Sequence, residues 1–172
     1  MNTMKKIMTI AIVVAGIVAV TGFAQTTTDS GTLNLTGTVP KIVNINVVAD
    51  PAASSLDLTQ DATDLLVATV TETSNVQAGY TVTVESANAA ASGTDSAFFD
   101  SSASGNTDTL DYSLSYGGSA VSFSGGAAAV LTDASDKTAA SGVTNEVRIA
   151  YTAKHMYNGT YEDTLTFTIQ AK

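Results

Sequence analysis

Residues 161–169 alternate strictly, with Tyr161, Asp163, Leu165, Phe167 and Ile169 on one face and Glu162, Thr164, Thr166 and Thr168 on the other. A period of two is the mark of a half-buried strand; a helix would scatter these apolar residues around its circumference. Thr, Phe, Ile and Tyr also suit a pleated surface. The turn residues Tyr157, Asn158 and Gly159 stand just ahead of the alternation. The same pattern recurs along most of the chain, so sheets are the material of this fold.

Taken in order, the odd positions from Leu33 are apolar: Leu33, Leu35, Val39, Val43, Ile45 and Val47, with Gly37 and Lys41 as exceptions. Parity survives Pro40, which predicts one long strand bent or switched between sheets there, because proline cannot donate to a ladder. Asp50-Pro51 ends that element, and Leu56 and Leu58 are expected to tuck inward from a connector. Residues 65–71 form a second strand whose inward face stays open, since Leu65 and Leu66 are adjacent. Tyr80, Val82 and Val84 alternate cleanly with Thr81, Thr83 and Glu85. Residues 87–109 are the least regular part, pinned to the core by Phe98-Phe99 within a single helical turn.

Two hairpins follow. Gly117-Gly118 is a two-residue hairpin loop; it pairs Tyr116 with Ser119, Leu114 with Val121 and Tyr112 with Phe123. Val130-Leu131 reads as a short buried piece, and Val147, Ile149 and Tyr151 as the penultimate strand. For the terminal hairpin, a three-residue loop at 157–159 pairs Tyr151 with Leu165, Ile149 with Phe167 and Val147 with Ile169. A slip of one residue would set core positions opposite surface ones. The expected fold is all-β: an antiparallel two-sheet Ig-like β-sandwich of about seven to nine strands, preceded by a cleavable signal helix.

The signal is read from Lys5-Lys6, the apolar run 7–20, and the small residues Gly22 and Ala24 before Gln25. The domains are then a signal peptide at 1–24, a polar leader at 25–31 and one β-sandwich domain at 32–172. Removing two lysines leaves five basic residues against 16 acidic ones, a formal charge of −11. Such a chain does not attract nucleic acid or an anionic bilayer, and no stable membrane span is expected after cleavage. It has no cysteine, so stability rests on packing and sheet hydrogen bonds. The expected location is secreted: periplasm, cell surface or medium.

No catalytic signature stands out. His155 is the only histidine and sits beside a turn, and no nucleophile elbow exists. One His and no Cys leave no usual zinc or copper site. Calcium needs only oxygens, and Asp57, Asp61 and Asp64, or Asp95, Asp100, Asp108 and Asp111, are the carboxylates to weigh against plain solvated ones. Glu162 and Asp163 point to opposite faces, so they are no acid/base pair; Asp163 is expected to accept a hydrogen bond closing the terminal hairpin. Tyr80, Tyr112, Tyr116, Tyr151 and Tyr161 lie on apolar faces and read as core rather than as a glycan platform. No catalytic, cofactor or metal residue is assigned, and the protein is expected not to be an enzyme.

The closing run Gly159-Thr-Tyr-Glu-Asp-Thr-Leu-Thr-Phe-Thr-Ile resembles the final strand of bacterial spore coat protein U-like proteins and the related archaic chaperone–usher pilins. Residues 33–47 and the run Gly79-Tyr-Thr-Val-Thr-Val-Glu-Ser are similar to strands of that family, although this chain lacks its usual cysteines. The resemblance implies an Ig-like sandwich at the cell surface that polymerises by donating a strand, with Gly159, Tyr161 and Asp163 shaping the fold. Because 25–31 is polar, the segment available for donation is 33–39, carrying Leu33, Leu35 and Val39, with Pro40 as hinge. The expected function is a non-enzymatic exported structural protein of the bacterial surface, a coat, pilus-like filament or matrix subunit. Its partner is then itself or another surface protein. The alternative is a monomeric secreted module that binds a glycan, a protein or calcium.

Overall fold

The computed structural model describes residues 27–172. The signal peptide expected at 1–24 lies outside them. Contacts divide the chain between Thr38 and Val39 into two units. Of the first, residues 27–38 carry no helix or strand and are exposed throughout.

The second unit holds ten strands among the described residues. In chain order they are β1 (Val43–Ala49), β2 (Ala62–Ser74) and β3 (Tyr80–Ser86), then a short helix α1 (Ala87–Ser92). After it come β4 (Ala97–Ser101), β5 (Thr109–Tyr116), β6 (Ser119–Val121), β7 (Ala129–Ala134), β8 (Val143–Tyr151), β9 (Tyr161–Glu162) and β10 (Leu165–Ala171). They form two antiparallel sheets. The larger runs β1-β2-β8-β5-β4-β9 with β6 beside β5, and the smaller runs β10-β3-β7. The all-β sandwich expected from periodicity is the fold observed.

Inward residues of both sheets share one core: Val70, Val84, Phe99, Leu110, Tyr112, Leu114, Val147 and Ile149 among them. Phe99 and Tyr112 lie 4.7 Å apart between ring centroids, a pair contributing about 0.5–1.5 kcal/mol beyond area burial. The two adjacent leucines of β2 are resolved by bulges: register shifts fall between Ala62/Leu65 and Leu66/Ala68. An extra residue switches the inward parity, so Leu65 faces in before the bulge and Ala68, Val70 and Glu72 after it. The Gly117-Gly118 hairpin has the expected register, Tyr116 opposite Ser119 and Leu114 opposite Val121. Both glycines have positive φ, as a twisted two-residue loop demands. The ladder stops at Val121, so the third pair does not form, yet Phe123 is still buried.

Five expectations are corrected. The strand predicted across Pro40 begins only at Val43; residues 33–42 have no strand partner. Instead Asn75 grips the chain at that point. Its side chain donates to Pro40 O at 2.8 Å and accepts from Ile42 N at 2.7 Å, doing for two residues what a neighbouring strand would do. Phe98 and Phe99 do pin their segment, but from β4; the helical turn is α1, capped by Ser86 and closed by Gly93 in the left-handed region. In β7 the buried residue is Ala129, and Val130 points to solvent.

The terminal hairpin does not exist. β10 pairs with β3, setting Phe167 opposite Val84 and Ile169 opposite Val82, while β8 lies between β2 and β5 in the other sheet. The alternation 161–169 is also two strands rather than one. Tyr161 pairs with Ser101 in the larger sheet, and the chain crosses at Asp163-Thr164 into the smaller one. Parity gave the inward face correctly, because an extended crossing keeps the period. It did not identify the partner, since β3 offers the same alternating pattern as β8.

Candidate functional site

Each sheet leaves one edge strand on the same side of the sandwich. β1 is bonded only to β2, β10 only to β3, and the two lie against each other across the sheets. Their inward residues are incompletely covered: Ile45, Leu165 and Phe167 are only half-buried at the margin of the core. Val47 and Val48 are 44% and 57% exposed. An edge strand presents unpaired N–H and C=O groups in a row, so this seam combines open backbone with apolar side chains.

The candidate residues for strand exchange stand out by contrast. Leu33, Leu35 and Val39 are 82%, 87% and 83% exposed, in a segment with no ladder of its own. Exposing three large apolar side chains that could be covered forfeits about 1.5–3 kcal/mol each.

At one end of the domain, a cleft of about 870 Å³ is lined by Leu56, Asp57, Phe99, His155, Tyr157 and Glu162, among others. Tyr157 is 73% exposed. Its N–H donates to Asp108 Oδ2 and its carbonyl accepts from the Tyr161 hydroxyl, both at 2.7 Å. Sequence reading passed over Tyr157 because it lies in a turn and outside any alternating strand. The other five tyrosines are buried or half-buried as expected, and each hydroxyl is hydrogen-bonded.

The two most elaborate polar clusters are structural. Asp163 Oδ2 accepts from the Ser86 and Tyr112 hydroxyls at 2.7 Å, and Oδ1 from Asn88 N at 3.1 Å and Thr164 N at 2.8 Å. Beside it, the Asn88 amide donates to Phe98 O and Glu162 O. Asp163 is therefore an acceptor, as expected, but it fastens the crossing between sheets and the start of α1 rather than a hairpin. Burial first, and then the hydrogen bond to Asp163, push the Tyr112 phenol far above its usual range.

Glu72 was not foreseen. It is 0% exposed and accepts from Tyr80 at 2.9 Å, Thr132 at 2.8 Å, Asn145 at 3.3 Å, and the Tyr116 hydroxyl. Burial and this carboxylate raise Tyr80 to about 12 and Tyr116 further in the same direction. With both oxygens engaged by four donors inside the core, Glu72 has no route to a substrate. It shares the inward parity of Val70 and Ser74, which the adjacent Leu65 and Leu66 left open in the sequence and the bulges of β2 fix.

His155 is exposed on the loop between β8 and β9. The carboxylates weighed for calcium are mostly committed elsewhere. Asp57 binds Thr59, Asp61 binds Ala153 N, Asp64 pairs with Arg148, Asp95 binds Gly125 N, Asp100 binds Ser101 N, and Asp108 binds Tyr157 N. Asp111 is exposed on β5. Among the described residues no three His, Cys, Asp or Glu side chains are close enough to hold a metal, and no helix is long and apolar enough to cross a membrane. Compared with models of protein families and with curated proteins, the chain matches none.

Proposed function

We propose that this protein is an exported, non-enzymatic structural protein of the bacterial cell surface whose copies join by strand addition. The observation that carries the reading is the seam between β1 and β10: an unpaired edge over half-covered apolar residues. In the same chain, the exposed segment 33–39 supplies an apolar alternation with no partner. β10 has seven residues, and 33–39 is the same length, so at ~3.3 Å per residue a donated segment would run the whole edge. The second copy is the favoured occupant because it brings main-chain groups and alternating apolar side chains together, as strand addition requires. The signal-like N-terminus and the pilin-like closing run support export and assembly.

The test is size-exclusion chromatography of protein starting at Gln25, beside a version lacking residues 25–39. Oligomeric ladders from the first and monomer from the second are expected. A peptide spanning 31–40 should bind the shortened domain and raise its Tm. Monomer from both proteins, with no response to the peptide, would refute the reading. The cleft beside Tyr157 favours the second reading, a monomeric binding module. That reading predicts a monomer whose Tm rises with a glycan or with calcium.

A further inference from the structure

We propose that Asn158-Gly159 is a site of spontaneous deamidation, which the fold leaves as reactive as it would be in an unstructured peptide. It is the only Asn-Gly step in the sequence. In this reaction the Gly159 backbone nitrogen attacks the Asn158 side-chain carbonyl carbon. An N–Cγ bond forms, the Cγ–Nδ2 bond breaks, and ammonia leaves with the proton from the Gly159 amide. Water then opens the five-membered imide at either carbonyl, giving aspartate or isoaspartate. No oxidant or co-reactant other than water is needed. Two things normally prevent this step: a side chain on the following residue, and a hydrogen bond holding that residue's N–H.

Neither is present. Glycine has no Cβ, and a Cβ built at Gly159 would come near only Ser101 Oγ, at 4.0 Å. Asn158 and Gly159 are both exposed. Among the described residues, neither the Asn158 amide nor the Gly159 N–H has a hydrogen-bond partner, although their neighbours on both sides do. Tyr157 is held through its N–H and carbonyl, and Thr160 O accepts from Ser102 N at 3.0 Å. The loop is thus tied at its shoulders and loose at its apex.

Other asparagines are protected in recognisable ways. The N–H after Asn88 is held by Ser86 Oγ, and the N–H after Asn75 by Ser74 Oγ. Asn34, Asn44 and Asn46 precede Leu, Ile and Val, whose side chains crowd the attack. Conversion adds a carboxylate, taking the full-chain formal charge from −9 to −10. The new charge falls on the wall of the cleft that already holds Asp57 and Glu162. The isoaspartate form also lengthens the main chain between Tyr157 and Tyr161, whose 2.7 Å hydrogen bond closes this loop. Age would therefore be written into the chemistry of the cleft.

The test is peptide mapping by mass spectrometry of protein starting at Gln25, held folded at mildly alkaline pH. A synthetic peptide spanning 152–162 is run in parallel. Asn158 should convert before any other asparagine, at a rate within about tenfold of the peptide's, with isoaspartate among the products. Gly159→Ala, which the open space accommodates, should slow it by more than tenfold, and Asn158→Asp supplies the marker for the aspartate product. A folded-state rate more than tenfold below the peptide's would correspond to about 1.4 kcal/mol of added barrier and would overturn the proposal. So would prior conversion at another asparagine.

Discussion

Replacing Glu72 with leucine isolates what the buried carboxylate does. The side chain has no solvent exposure, and its donors Tyr80 and Tyr116 are 3% and 5% exposed. Thr132 and Asn145 are partly exposed and can turn to water, whereas the two phenols cannot. Leucine is close in volume, so the main loss is two buried hydroxyls without an acceptor, at about 1–3 kcal/mol each. Removing a buried charge offsets part of this. A net loss of about 3–4 kcal/mol is expected, or roughly 10 °C in Tm for a domain of this size.

The informative comparison is the triple variant Glu72→Leu, Tyr80→Phe, Tyr116→Phe. Replacing acceptor and donors together removes the orphans, so the triple should recover most of the stability lost by the single. Urea unfolding measures this, with the midpoint moving and the slope unchanged. Two results would refute the reasoning: a single variant within about 0.5 kcal/mol of the parent, the range of an inconsequential surface change, or a triple variant less stable than the single.

Two further outcomes follow from the polar clusters. Tyr80 is raised to about 12 by burial and Glu72, and Tyr112, Tyr116 and Tyr151 are raised too. A raised folded value favours the protonated phenol, so this contribution is whole below the unfolded value of ~10 and is lost as pH climbs through the folded values. Circular dichroism and the phenolate absorbance of these four tyrosines should therefore change together above about pH 10; their complete ionisation near pH 10 with the sheets intact would contradict it. Asp163→Asn should cost about 2–3 kcal/mol, the order of a lost charge-assisted hydrogen bond together with a mispaired donor. Hydrogen exchange should locate the loosening at β9 and α1, and a uniform change across both sheets would count against the crossing role.

Fold class was legible because alternation depends on local chemistry. The inward sets Tyr80, Val82 and Val84, and Leu110, Tyr112, Leu114 and Tyr116, follow from period two alone. The hairpin at Gly117 was legible because its two partners are neighbours in sequence and the loop geometry sets their register. Pairing between distant strands was not. β3, β8 and β10 carry similar apolar faces, so no local rule says which two are hydrogen-bonded and which face each other across the core. The seam was invisible for the same reason, since an edge is a property of the whole sheet order.

Asp163 shows where such reading stops. On the alternating face of 161–169 it takes the slot of a core residue, and an uninterrupted strand would have to bury an unsatisfied carboxylate there. Burial of that kind is costly, so the chain must either expose the residue or build donors around it. It does the second, through Ser86, Tyr112 and two backbone N–H groups, at the point where the backbone leaves one sheet for the other. At Asp163 the polar residue that holds parity inside an otherwise apolar face sits at a crossing, between Glu162 in the larger sheet and Leu165 in the smaller one. Glu72 obeys the same logic within β2, where the donors come from β3, β5, β7 and β8. These two carboxylates stitch the sheets together: Asp163 takes hydroxyl donors from β3 and β5, and Glu72 on β2 takes donors from both sheets.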